Sequence, residues 1–147
     1  MTKELINPPS LPSPRGYNHG ILVSGGGRLL FLAGQDASDA EGRIVVPGDV
    51  VAQLEQVLRN LRAVTETAGG TLQDVVKLNI FVRDRDAYVA QRKPLGQVFR
   101  AYFGHYYPTM ALFEVSRLFQ DDALIELEGI AVLGEGTSAQ REHADGL

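Results

Sequence analysis

Apolar residues recur along this chain with two different periods, and the change of period predicts where helices and strands lie. From Val50 to Ala68 they repeat at helical spacing, behind Asp49 as a candidate N-cap and ahead of the helix-stopping Gly69. From Val75 to Val82 they alternate with period two, with Val76 and every second residue after it on one face. The pattern therefore predicts a long amphipathic helix followed by a central strand.

The remaining segments complete the order of elements. Residues 21–23 and 29–33 are apolar runs separated by a glycine-rich turn, which predicts a β-hairpin. A second helical segment is divided by Pro94, which favours a position near the start of its second piece. Residues 110–115 and 124–132 predict two further strands. The order β-β-α-β-α-β-β indicates an α+β fold with two helices covering one face of a mixed sheet.

The last predicted strand carries two carboxylates, Glu126 and Glu128, two residues apart in an apolar run. Because side chains alternate across a strand, both must lie on one face, and Ile125 and Leu127 must lie on the other, towards the helices. Charged groups are rarely buried without partners, so the face with the carboxylates must meet water, a cation, a ligand or another subunit.

Composition and charge restrict the class of protein. The 147 residues, 44% of them hydrophobic, suit one globular domain, and the absence of cysteine excludes disulfides and thiolate chemistry. A net charge of −4 disfavours nucleic acid as a partner. No export signal or membrane-spanning run is evident, which predicts a cytoplasmic protein. The three histidines lack metal-ligand spacing, so neither a metal nor another cofactor is expected.

The two ends of the chain differ in character from its middle. Residues 7–16 hold four of the seven prolines, which favours an extended lead-in. We therefore predict an extended segment over residues 1–14, one domain over residues 15–133 and a polar, frayed tail over residues 134–147.

A collinear series of short motifs resembles the Rid/YjgF proteins, which are also described as L-PSP endoribonuclease-like. The motifs span residues 15–133 and are Gly16-Tyr17, Ala33-Gly34-Gln35, the helix from Val50 to Ala68 with Gly69, Val76-Lys77, Phe81-Val82-Arg83-Asp84, Pro108, Glu114-Val115-Ser116-Arg117-Leu118 and Ile125-Glu126-Leu127-Glu128-Gly129-Ile130-Ala131-Val132. The resemblance implies a chorismate-mutase-like fold and a homotrimer with sheets inside, helices outside and a ligand cleft at each subunit interface.

In the best-known branch of this family, the cleft hydrolyses reactive imines and enamines to a 2-oxo acid and ammonia. The resemblance assigns the water-orienting glutamate to Glu128 and the cleft tyrosine to Tyr17. The arginine that clamps the substrate carboxylate is replaced by Met110, and a nearby cysteine is replaced by Leu112. Ala33 stands for the family's serine, beside Gly34.

Met110 changes the expected chemistry most. A bidentate arginine–carboxylate contact is strong and geometrically specific, whereas methionine offers only weak, polarizable contact. We therefore expect weak or absent activity on the usual 2-iminoacids and a less charged or more apolar ligand. Arg117, three residues after Glu114, is expected to pair with Glu114 across the subunit boundary or to replace the missing clamp.

The sequence leaves open whether the protein is an enzyme. One class is a Rid-type hydrolase or deaminase of an imine, enamine or related metabolite, acting through Glu128. A second is a non-catalytic protein that binds or senses a small metabolite. A third, endoribonuclease, follows from the family's description alone. Structural readings compete for single residues, with Glu128 and Glu126 as seam carboxylates and Tyr17 as a packing aromatic.

Overall fold

Six strands and three α-helices make up the part of the chain that the computed structural model describes, residues 1–135. They are β1 (Thr2–Ile6), β2 (Gly20–Ser24), β3 (Arg28–Gln35), α1 (Val50–Thr67), β4 (Val75–Val82), α2 (Arg85–Ala90), α3 (Arg92–Phe103), β5 (Thr109–Glu114) and β6 (Ile125–Leu133). The predicted α+β class is confirmed. The tail prediction for residues 136–147 lies outside the described residues.

The main sheet has four strands in the order β3-β6-β4-β5. Strand β6 is antiparallel to both of its neighbours, and β5 runs parallel to β4 after a crossover through α2 and α3. The predicted hairpin between β2 and β3 is wrong, because β2 pairs with β1 in a separate two-stranded sheet. Strand β1 was not predicted, since its short, mostly exposed sequence carries little apolar alternation.

Helix α1 follows the predicted pattern with one shift of its buried face. Asp49 caps it by accepting a hydrogen bond from the backbone N–H of Ala52 at 3.0 Å, and Gly69 follows its end with a φ of 89°. The helical repeat of apolar residues includes Val64 and so predicts its burial, which is wrong: this side chain is 36% exposed, and Thr65 is buried.

A bulge in β4 shifts the predicted alternation at the start of the strand. The register between β4 and β6 changes between Val75 and Lys77, so Val75 is fully buried and Val76 is only half-buried. Gly129 of β6 lies opposite, where an added Cβ would overlap the carbonyl oxygen of Lys77. The glycine therefore permits the close approach of the two strands.

The second helical region is divided as predicted. Asp84 caps α2 by accepting from the backbone N–H of Ala87 at 3.0 Å, and α2 ends before Gln91. Helix α3 begins at Arg92, which places Pro94 in its first turn, where a missing N–H costs nothing. None of the helices within residues 1–135 is long and apolar enough to cross a membrane.

The two faces of the four-stranded sheet have different surroundings. On the covered face, Ile125 and Leu127 of β6 are fully buried against the helices, as predicted. On the open face, Glu126 and Glu128 are half-buried, and Phe31 of β3 is 71% exposed. One side of the sheet therefore forms the core, and the other side has no covering element among the described residues.

Candidate functional site

A cavity of about 420 Å³ lies between α3, the edge strand β5 and the loop that follows β1. Its volume falls in the range of small-molecule pockets. The wall is formed by Arg15, Gly16, Tyr17, Ile80, Tyr88, Arg92, Gly96, Phe99, Arg100, Tyr107, Met110, Ala111 and Leu112. Three of the predicted ligand-binding residues, Tyr17, Met110 and Leu112, are therefore together in one cavity.

Tyr17 is held over the cavity by the residue next to it. The Asn18 side-chain amide donates a hydrogen bond to the carbonyl oxygen of Tyr107 at 2.5 Å, and the Asn18 backbone N–H donates to that of Pro108 at 3.3 Å. The Tyr17 ring also meets the ring of His19 edge to face, with centroids 5.2 Å apart. The loop is thereby attached to the segment that leads into β5.

Helix α3 contributes a wall with a gap in its middle. Arg92, Gly96 and Arg100 follow one another at intervals of four residues and so lie along one side of the helix. An added Cβ at Gly96 would meet only Nη1 of Arg100, at 3.7 Å, which is ordinary contact. Glycine in a helix interior costs about 0.5–1 kcal/mol relative to alanine, so Gly96 is unfavourable for the helix, and it adds no side chain to the cavity wall.

Met110 and Leu112 form the apolar side of the cavity on β5. Their partners on β4 are the buried Leu78 and Ile80, so both lie on the covered face of the sheet. The arginine that the family resemblance places at position 110 would reach into this cavity. Methionine replaces that cation with an apolar, flexible surface.

The two carboxylates of β6 lie on the open face and differ in their contacts. Glu128 accepts a hydrogen bond from the side-chain amide of Asn79, opposite it on β4, at 3.3 Å. Glu126 lies over Gly34, where an added Cβ would be 2.6 Å from its Oε1. Burial, followed by the negative charges of Asp36 and Glu128, raises the pKa of the Glu126 carboxyl above its ordinary value.

The predicted site residues thus form two groups. Tyr17, Met110 and Leu112 line the cavity, whereas Glu128 projects from the open face. Ala33 and Gly34 also belong to the second group, because a bulge between Leu32 and Gln35 leaves both exposed. Strand alternation separates the groups within one protomer. A site that uses both groups would need two copies of the chain.

Arg117 lies in neither group. Its guanidinium pairs with Asp121 at 3.3 Å, and both side chains are largely exposed. Glu114, its expected partner, instead accepts a hydrogen bond from the backbone N–H of Arg85 at 3.1 Å. Arg117 and Glu114 do not pair within the described protomer, and a pair across a subunit boundary stays a prediction. Arg117 is not part of the cavity wall.

The sequence patterns did not identify several residues of these two groups. Arg15, Arg92 and Arg100 carry no motif, and only the fold brings them to one cavity. Tyr88 of α2 also lines it, and burial raises the pKa of the Tyr88 hydroxyl to about 12, so the group stays protonated at neutral pH. Period-two alternation did put Asn79 on the opposite face from Leu78, which was the available signal for its contact with Glu128.

Comparison with known proteins gives a consistent result. Residues 10–133 match the family model described as "Endoribonuclease L-PSP". A RutC family protein of Pyrococcus abyssi is 38% identical over 132 residues, 89% of this chain and 98% of that protein. A 2-iminobutanoate/2-iminopropanoate deaminase of Dermatophagoides farinae is 30% identical over 89% of this chain and 97% of its own length. The crystal structure of the Rid family protein YyfB of Yersinia pestis, described as of unknown function, superposes with a TM-score of 0.80 and 34% identity, covering 90% of this chain and 100% of that one.

Proposed function

The chain belongs to the Rid/YjgF family, whose model is described as endoribonuclease L-PSP, and on that basis we propose that it forms a homotrimer with a small-molecule cleft at each subunit contact. The observation that carries the proposal is the separation of the predicted site residues onto two faces of one sheet. A ring of three copies joins unlike surfaces head to tail, so the open face of one subunit can meet the cavity of the next.

The character of the two surfaces supports this contact. The open face exposes Leu29 and Phe31 at one end, a poor surface for a monomer, and carries the carboxylates of Glu126 and Glu128 towards the other. The cavity of the neighbouring subunit brings arginine and tyrosine side chains. The exposed apolar residues would be buried in the contact, while the cleft between the two surfaces stays open to a ligand.

In this cleft the protein would hydrolyse an imine, an enamine or a related metabolite. Water adds to the carbon of the C=N bond, and the resulting carbinolamine collapses to a carbonyl group and ammonia. Glu128, held by the Asn79 amide, would orient the water. Glu126, whose raised pKa favours proton exchange nearer neutral pH, would take a proton from the water and return it to the leaving nitrogen. The proposed mechanism therefore uses Glu126 in addition to Glu128, the residue that the sequence favoured.

The usual 2-iminoacids are expected to be poor substrates, because Met110 cannot form the carboxylate clamp. To test this, the purified protein is added to an oxidase that generates a 2-iminoacid, with semicarbazide present as a competing trap. Little competition with semicarbazide is expected. Strong competition would contradict the prediction for these substrates.

Glutamine variants of the carboxylates separate catalysis from binding. Glu128→Gln and Glu126→Gln are compared with Glu55→Gln, an exposed carboxylate on α1 that pairs with Arg59. The readouts are ammonia release from a panel of imines and ligand binding by calorimetry. Loss of turnover with retained binding in the β6 variants alone supports the hydrolase. Unchanged turnover in both β6 variants would contradict these roles.

A non-catalytic binding protein is the second candidate, and the apolar surface of Met110 and Leu112 favours it. In that case no panel compound is turned over by any form of the protein, and ligand binding persists in both glutamine variants. Endoribonuclease activity is examined in the same preparations. RNA cleavage that survives extensive purification and disappears in a variant would replace both candidates.

A further inference from the structure

The arginines of this chain differ in whether they contact a carboxylate, a carbonyl oxygen or an aromatic ring. Ten of them precede residue 136. Seven contact a carboxylate, a carbonyl oxygen or an aromatic ring, and these are Arg28, Arg43, Arg59, Arg62, Arg83, Arg85 and Arg117. Within residues 1–135 the three that lack such a contact are Arg15, Arg92 and Arg100, and all three line the cavity. Their positive charges are concentrated there although the whole chain has a net charge of −4.

The positions of these arginines suit a ligand with more than one anionic group. The Cα atoms of Arg92 and Arg100 are about 12 Å apart along the axis of α3, and Nη1 of Arg100 reaches back to 3.7 Å from the position of an added Cβ at Gly96. Arg15 comes from the loop that also carries Tyr17. Each guanidinium has a fork of donors that can bind one carboxylate or phosphate group bidentately. One carboxylate cannot satisfy three such forks at separate points of the wall.

The rest of the wall is apolar or aromatic. Phe99 and Met110 provide apolar surface, and Tyr17 and Tyr88 provide rings with hydroxyl groups. Burial raises the pKa of the Tyr88 hydroxyl to about 12, so this group is protonated at neutral pH and can donate a hydrogen bond to an anion. The cavity thus combines apolar and aromatic surface with three cationic side chains.

We propose that Arg15, Arg92 and Arg100 replace the cation missing at Met110 and make the cavity selective for a small organic dianion, with two carboxylate or phosphate groups on an apolar body. This rests on the proposed function only in that both use the same cavity. It changes the expected ligand from a less charged molecule to a more highly charged one, with the charges at new positions in the cleft.

Binding of simple probes to the intact protein tests the selectivity. Isophthalate and terephthalate carry two carboxylate groups on a ring, benzoate carries one, and benzyl alcohol carries none. Calorimetry is expected to show that at least one of the two dianions binds about tenfold more tightly than benzoate, because its second anionic group adds one charge-assisted contact. Added salt is expected to weaken this binding. Equal affinity for benzyl alcohol, or no dianion binding at millimolar concentration, would overturn the proposal.

Substitutions assign the binding to particular residues. Arg92→Gln and Arg100→Gln are each expected to weaken dianion binding about tenfold or more, while Arg59→Gln makes the same change in net charge on exposed α1 and leaves affinity unchanged. Gly96→Leu fills the gap and is expected to abolish binding. Wild-type affinity in both cavity variants would overturn the proposal.

Oligomeric state separates a ligand site from a subunit contact. Mass photometry of each variant is expected to match the wild type. If Arg92→Gln and Arg100→Gln separate the subunits, these arginines belong to the contact and the proposal is wrong. Probe binding requires no turnover, so the dianion proposal and the proposed hydrolase can fail independently of each other. If turnover is retained and dianions are not preferred, the dianion proposal is wrong and the proposed hydrolase stands.

Discussion

The covered and open faces of the four-stranded sheet come from the same strands but meet different requirements. Ile125 and Leu127 on one face of β6 are sealed against helices, whereas Glu126 and Glu128 on the other are half-exposed carboxylates. The covered face gains its stability from burial of apolar surface within the protomer. The open face, with Phe31 exposed beside β6, has the apolar surface and charge of a contact or a site. One alternating sequence therefore encodes both a core and the surface that we propose as the subunit contact.

The largest effect is expected from a substitution on the open face that leaves the core unchanged. Phe31→Asp should leave the protomer folded but place an unpaired charge in the proposed subunit contact, weakening each contact by about 3 kcal/mol or more, roughly a hundredfold. Analytical ultracentrifugation is expected to show smaller species than in the wild type. Phe119→Asp, at a side chain that is 97% exposed, is the control and should not change assembly. Equal assembly of both variants would exclude this face as the contact.

A second comparison sharpens the assignment of the covered face. Val57→Ala removes two methyl groups from a fully buried position of α1 and should lower the free energy of unfolding by about 2–3 kcal/mol. Val64→Ala makes the same chemical change where the side chain is 36% exposed, and its cost should stay below about 1 kcal/mol. Urea denaturation measures both. A larger loss at Val64 would mean that the helix is rotated relative to the face described above.

The smallest expected effect concerns the charge of Glu126. Its pKa is raised in the folded protein by burial and by neighbouring carboxylates, so the ionised form disfavours folding above that raised pKa, and the penalty disappears as the pH falls below the unfolded value. Glu126→Gln should therefore stabilise the protein at neutral pH, by less than about 1 kcal/mol since the group is only half-buried, and have little effect near pH 4. Thermal unfolding at both pH values checks this. Destabilisation at neutral pH would mean that the ionised carboxylate has a favourable partner.

The sequence by itself determined the parts of the protein that depend on local spacing. Helical periodicity, the cap at Asp49 and the glycine after the helix located α1, and the proline rule located the break before α3. Alternation alone separated Ile125 and Leu127 from Glu126 and Glu128, and the full burial of the two apolar residues confirms this division. The collinear motifs indicated the family, which the matches over most of the chain confirm. These features are readable because each arises from residues close together in the chain.

The tertiary structure decided which distant segments meet. Strand β2 pairs with β1 because chain pairing is settled by long-range contacts, which no local pattern of the short β1 reveals. The bulges in β3 and β4 shifted single residues between faces, since one extra residue reverses the alternation beyond it. Arg92 and Arg100 share one side of α3 by their spacing, but only the return of the loop after β1 to α3 and β5 brings Arg15 to the same cavity. The location of positive charge in the cavity is therefore a property of the fold, whereas the replacement of an arginine by Met110 is a prediction from the family resemblance of the sequence.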